Sequence, residues 1–190
     1  MKKQLIIAIL FSSIIFEAQA RVGIGAAGGG IYPGFLQSEI YHSNFDLGGG
    51  YEFFARHKLF QLRGEINVDA KYSYRKYISQ AYLPFTADTR FSFDYLVLDL
   101  TTTFARSDLL HFYAGAGAAL VNVQANKDLL DVNDSIIIPE VLTGMAYFLS
   151  EYYNVFLDLA VQFGSVKVRN DTIPLTGLRL ILGLTMYLTE

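Results

Sequence analysis

A chain of 190 residues with no cysteine and a net charge of −3 has neither thiolate chemistry nor the basic surface that nucleic acid requires. Its composition is 52% hydrophobic and 15% aromatic, yet no stretch after residue 20 stays apolar for the ~20 residues that a spanning helix needs. So much apolar surface without such a helix points to strands that turn one face to lipid and the other inward.

The first twenty residues read as an address. Lys2 and Lys3 form a basic start, an apolar run follows from Leu5 to Phe16, and Ala18-Gln19-Ala20 ends it with small residues flanking the cleavage point. The expectation is a cleaved signal peptide over residues 1–20 and a single domain over 21–190, starting at Arg21. With no Cys after the cleavage point, lipoprotein anchoring is ruled out.

Eight segments then carry strand character. The clearest runs from Phe60 to Arg75, where Phe60, Leu62, Gly64, Ile66, Val68, Ala70, Tyr72 and Tyr74 alternate with Gln61, Arg63, Glu65, Asn67, Asp69, Lys71, Ser73 and Arg75. A period of two over this length fits a tilted membrane strand better than a short globular one. Residues 45–53, 90–97, 155–164 and 178–188 repeat the pattern, and 22–31, 110–123 and 136–149 do so more weakly. In 90–97 the apolar set is Phe91, Phe93, Tyr95 and Val97, read as lipid-facing. Glycine and alanine on both faces leave the inward parity of 110–123 open. An even count of eight is what a closed antiparallel barrel requires.

Connections alternate in length. Residues 56–58, 105–108 and 150–153 read as tight polar turns, and 32–44, 76–89, 124–135 and 165–176 as longer loops. This asymmetry matches the periplasmic and extracellular ends of an outer-membrane barrel. Aromatic residues gather near both ends. Phe53, Phe54, Phe60, Phe104, Phe112, Tyr113, Tyr147, Phe148, Tyr152, Tyr153 and Tyr187 lie near the short turns, and Tyr32, Tyr41, Phe45, Tyr72, Tyr74, Phe91 and Phe93 near the loops. Two interfacial girdles are expected.

At this point the chain resembles the small outer-membrane barrels, among them the OmpA membrane domain, OmpX and OmpW-like proteins. Phe112-Tyr113-Ala114-Gly115-Ala116-Gly117 is similar to their aromatic-then-glycine strand. Gly183, Met186 and Leu188 resemble the final-strand signal read by the barrel-assembly machinery, although Thr189 and Glu190 follow where an aromatic residue usually ends the chain. The resemblance implies an all-β, eight-stranded, antiparallel up-and-down transmembrane barrel in the bacterial outer membrane, surrounded by outer-membrane lipid and lipopolysaccharide. Ligands for its surface loops are not specified. A soluble barrel of lipocalin type, with the apolar face inward, is the competing fold.

With apolar faces outward, ionisable side chains converge inside: Glu52, Arg63, Glu65, Asp69, Lys71, Arg90, Asp94, Glu140, Asp158 and Arg179. An eight-stranded barrel is just wide enough for side chains to fill, and charges buried there must pair. The expectation is a salt-bridged plug, with a narrow conduit as the alternative. Taking 56–58 as the turn sets Glu52 opposite Arg63, Gly50 opposite Glu65 and Gly48 opposite Asn67, with Glu65 leaning toward Arg63 or Arg179.

Catalytic signals are weak. Some small outer-membrane barrels modify lipid A, and His42-Ser43-Asn44 resembles the His-x-Ser-Asn motif of the deacylases without its intervening residue. Adjacent strand residues face opposite ways, so this His and Ser do not form a nucleophile pair. His57 and His111 read as interfacial. No spacing suggests a metal site. The reading is an interaction or structural barrel with no catalytic residues, metal or cofactor. A lipid A-modifying enzyme or a narrow solute channel is the alternative.

Overall fold

A computed structural model describes residues 22–33, 44–45, 47–61, 67–83, 86–125, 134–168 and 171–188. Its strands, in chain order, are β1 (Val22–Pro33), β2 (Asn44–Phe45), β3 (Gly48–Gln61), β4 (Asn67–Leu83), β5 (Thr86–Arg106) and β6 (Leu110–Ala125), then β7 (Asp134–Phe148), β8 (Tyr153–Gln162), β9 (Ser165–Val168), β10 (Asp171–Pro174) and β11 (Gly177–Tyr187). Eight of these are the staves of a closed barrel. β1, β3, β4, β5, β6, β7, β8 and β11 pair antiparallel in sequence, and β11 returns to pair with β1. Closure satisfies every stave's backbone on both sides, as lipid demands. The two-residue β2 extends the sheet on β4, and β9 with β10 makes a separate hairpin. No helix among the described residues is long and apolar enough to cross a membrane.

The register fixes the shape. Stepping from strand to strand, Val22 faces His57, then Ala70, Leu100, Ala116, Val141, Val161, Leu178 and finally Tyr32 on β1 again. One circuit therefore climbs ten residues, from 22 to 32. With a rise of about 3.3 Å per residue and strands about 4.8 Å apart, a stagger of ten over eight strands tilts them by about 40°. Such a barrel has a core of side chains, not an open channel.

Residue types follow the pleat. On β11, Leu180, Leu182 and Leu184 are exposed on the outer wall, while Arg179, Ile181 and Thr185 are buried within. β8 repeats this, with Leu159 outside and Asn154, Phe156, Asp158, Ala160 and Gln162 inside. In β6 the odd positions Tyr113, Ala119, Val121 and Val123 are buried, which settles the parity the sequence left open. Short turns close one end: Ser107 N donates to Leu110 O at 2.8 Å, and Leu149 N to Tyr153 O at 2.9 Å.

Three expectations are corrected. Arg56, His57 and Lys58 lie inside β3, which continues to Gln61, so they are strand and not a turn; residues 62–66 lie outside the described residues. Glu52 consequently faces Arg75, not Arg63, and Gly50 faces Tyr77. Polar residues near a barrel rim look like a turn in sequence, but here they sit on paired backbone. Second, residues 76–89 are not a loop: β4 runs to Leu83 and β5 starts at Thr86. Third, Phe91, Phe93, Tyr95 and Val97 face inward, and Phe54 and Tyr113 join them there instead of in a girdle. Phe53, Phe60, Phe104, Phe112, Tyr147 and Tyr153 do stand exposed on the outside. The signal segment lies outside the described residues.

Candidate functional site

The interior is built as three layers. Toward the long-loop end, Ile31, Tyr77, Phe91, Phe93, Tyr95, Val121 and Ile138 belong to one apolar cluster. Toward the short-turn end, Phe54, Tyr113, Leu142, Phe156 and Ile181 belong to a second. A layer of charge lies between them.

Arg75 is the hub of that layer. Its Nε donates to Glu52 Oε2 at 3.0 Å, Nη1 to both Glu140 oxygens at 2.8 and 2.9 Å, and Nη2 to Asp99 Oδ2 at 2.7 Å. Arg179 adds contacts to Glu140 Oε1 at 3.1 Å and Glu52 Oε2 at 3.4 Å. Lys71 Nζ sits 2.8 Å from Glu52 Oε1 and 3.0 Å from Asp158 Oδ2. All of these side chains are at most 2% exposed. Charges so far from water are tolerable only because each is paired, and the planar guanidinium of Arg75 serves three carboxylates at once.

The ionic layer is joined to the rings below it. The Lys71 ammonium lies 4.7 Å from the centre of the Phe54 ring and 5.0 Å from that of Phe156, so its stem and charge are both covered. Tyr113 donates its hydroxyl proton to Asp158 Oδ1, and the Arg56 guanidinium lies 5.5 Å from the Tyr113 ring centre. Above, Gln162 Nε2 donates to Leu175 O at 2.7 Å and to Tyr95 Oη at 3.2 Å. Tyr95 meets Tyr77 edge-on at 5.8 Å.

Of the residues expected in the lumen, Glu52, Lys71, Glu140, Asp158 and Arg179 come together in this layer. Asp69, half-buried, lies lower, opposite Lys58 on the β3–β4 ladder. Asp94 does not join them. It is on the outer wall, where Tyr74 Oη donates to its Oδ1 at 2.7 Å, because β5 has the opposite parity to the one its aromatic residues suggest. Arg63 and Glu65 lie outside the described residues, as does the side chain of Arg90. Sequence reasoning missed Arg75, Asp99 and Arg56. Arg75 continues the inward odd positions 69, 71 and 73 and was read on the polar face of residues 60–75, but as the last residue of that segment it was not counted among the luminal charges. Asp99 continues 91, 93, 95 and 97, and was lost when those were turned outward.

Among possible catalytic groups, His42 and Ser43 lie outside the described residues. His57 stacks on Tyr72 at 5.6 Å, and His111 packs against Phe148 at 4.5 Å. Gly183 faces inward, where a Cβ would come within 2.5 Å of the Phe156 ring; Met186 and Leu188 take the opposite, outer parity.

No family model matches the chain, and no curated protein sequence is similar to it. Solved structures are similar in fold. Neisserial surface protein A matches with a TM-score of 0.57 at 14% identity, over 88% of this chain and 96% of its own. Ail, the attachment invasion locus protein of Yersinia pestis, determined in complex with the heparin analogue sucrose octasulfate, matches with a TM-score of 0.50 at 10% identity, over 89% and 97%. The fold is therefore that of the small outer-membrane barrels, closed, antiparallel and eight-stranded.

Proposed function

We propose that the mature chain is a non-conducting barrel of the bacterial outer membrane, which contributes to envelope integrity and holds its long loops toward the outside. The observation that carries this reading is the three-layered interior, in which buried ion pairs are closed above and below by apolar rings. A conduit needs water along the axis, and side chains at 0–2% exposure leave none in this layer. The outer wall supports the same placement, since its exposed leucines face where lipid would lie. Lipopolysaccharide and outer-membrane phospholipid are its surroundings in this reading. The barrel-assembly machinery is its partner during insertion, engaging Gly183, Met186 and Leu188.

The test has two parts. Fractionation of expressing cells should recover the protein in outer membranes, with unboiled and boiled samples migrating differently on gels. Reconstituted in planar bilayers, the barrel should give no stepwise conductance. Recovery as a soluble periplasmic monomer would overturn the location, and steady single-channel steps would overturn the sealed lumen.

A further inference from the structure

Among the described residues the outer wall has one charged interruption. Between the level of Val22 and that of Tyr32, Lys76 and Asp94 are the only described outward-facing residues with a full charge. They are direct partners across the β4–β5 ladder, flanked by Tyr51 on β3 and Asn122 on β6. The row beneath them is Phe53, Tyr74, Leu96 and Leu120, which marks where the apolar wall begins.

Height places the pair. At a tilt of about 40°, each residue climbs about 2.5 Å and each strand-to-strand step about 3 Å. Lys76 and Asp94 then stand about 21 and 24 Å above Val22, just below the rim at Tyr32, in an apolar band about 25 Å tall. This is the level of headgroups in the leaflet on the long-loop side.

Both groups have unused hydrogen-bonding capacity. Among the described residues Lys76 Nζ has a single long contact, 3.8 Å to Asp94 Oδ1, and the Tyr74 hydroxyl reaches that same oxygen. Asp94 Oδ2 has no partner among the described residues, and both side chains are partly exposed, 34% and 20%. The Tyr51 ring stands 6.5 Å from that of Tyr74 and 5.5 Å from that of Phe53, tilted by 54° and 56° to them, so aromatic rings border the pair on one side.

We propose that Lys76 and Asp94, framed by Tyr51 and Tyr74, form a site for the phosphorylated-sugar headgroup of an outer-leaflet glycolipid. The Lys76 ammonium donates to a phosphate oxygen, Asp94 Oδ2 accepts from a sugar hydroxyl or amide N–H, and the Tyr51 ring packs on the sugar face. The acyl chains run down the wall over Leu98 and Leu100, which are exposed directly below on β5. The site rests on the outer-membrane reading above.

Native mass spectrometry of the mature protein, folded in detergent micelles, tests it. The micelles are doped in turn with a bisphosphorylated diglucosamine lipid, its dephosphorylated form, phosphatidylethanolamine and phosphatidylglycerol. The expected result is one bisphosphorylated glycolipid retained per barrel, with each of the other three retained about tenfold less, the factor one charge-assisted hydrogen bond confers. Lys76→Gln and Asp94→Asn should each lower glycolipid retention by a similar factor. Equal retention of all lipids, preference for phosphatidylethanolamine, or unchanged retention by Lys76→Gln overturns the site. If a variant fails to fold, the dephosphorylated lipid on the wild-type chain decides. A chain with no heat-modifiable band in micelles overturns the outer-membrane reading itself, whereas a folded barrel without glycolipid selectivity overturns this site alone.

Discussion

Arg75 stands directly across the β3–β4 ladder from Glu52 and donates its Nε proton to Glu52 Oε2 at 3.0 Å. The rest of the guanidinium reaches Asp99 from β5 and Glu140 from β7, so one side chain ties four strands together. The partners depend on it unequally. Glu52 also has Lys71 and Arg179, and Glu140 has Arg179, but among the described residues Asp99 pairs with Arg75 alone.

Arg75→Met should therefore destabilise the barrel by about 3–5 kcal/mol, the usual cost of stranding a buried charge. Urea titration of the folded protein in lipid vesicles measures it. A double-mutant cycle with Glu52→Gln should show a coupling energy of about 0.5–3 kcal/mol. Strictly additive effects would show that the two side chains do not meet.

Gly117 sits between Asp99 and Glu140 on one ladder row, and an added Cβ would lie 2.1 Å from Asp99 Oδ1 and 2.5 Å from Leu98 O. Its missing side chain is the space into which the Asp99 carboxylate turns. Gly117→Ala should cost about 1–3 kcal/mol through overpacking. The contact with Leu98 O is to backbone, so shortening Asp99 as well should recover only part of the loss. A Gly117→Ala barrel as stable as wild type would mean that Asp99 points elsewhere.

Legibility followed the chemistry of each face. Closure by eight strands, and the parity of β4, β8 and β11, were readable because in those segments apolar residues alternate with charged or small ones, and only one face suits lipid. β5 misled because both of its faces are apolar in different places: Phe91, Phe93, Tyr95 and Val97 fill the lumen, while Leu96, Leu98 and Leu100 line the outside. Alternation gives the period but not the sign, and an apolar layer inside the lumen reverses the sign locally. The β3–β4 register was unreadable for another reason. Arg56, His57 and Lys58 have the composition of a turn, and only the pairing of His57 with Ala70 shows that they are strand. Five of the ionic residues could be named from polarity alone, but their partners depended on that register.

The last strand offers a direct test of sidedness. Leu182 is 59% exposed on the outer wall, whereas its neighbour Ile181 is 1% exposed within the lower apolar cluster. Ile181→Ala should cost about 2–5 kcal/mol, as cavities in packed cores do. Leu182→Ala leaves no cavity, since lipid fills the space, and should cost far less. Leu182→Arg, in contrast, places a charge near mid-membrane and should cost about 2–4 kcal/mol. Refolding titrations of the three variants in lipid vesicles rank them. If Leu182→Ala is the more damaging of the two alanine variants, the wall is inside out.

Ionic strength separates a dry plug from a wet conduit without any mutation. Mobile ions screen charges they can approach, with a Debye length of about 10 Å at 0.1 M and 3 Å at 1 M. In the lumen, Lys71, Arg75 and Arg179 and their carboxylate partners are at most 2% exposed and lie between two apolar clusters. Salt has no route to them, so the part of the stability that depends on Arg75 should stay constant as salt rises. The measurement compares wild type with Arg75→Met in urea titrations at 0.05 and 1 M sodium chloride. Comparing the two proteins cancels the effect of salt on the apolar surfaces they share. The free-energy gap should be the same at both concentrations to within about 0.5 kcal/mol, the usual tolerance for independent effects. A gap that shrinks markedly at high salt would mean that ions reach Arg75, and the interior would then be a water-filled passage.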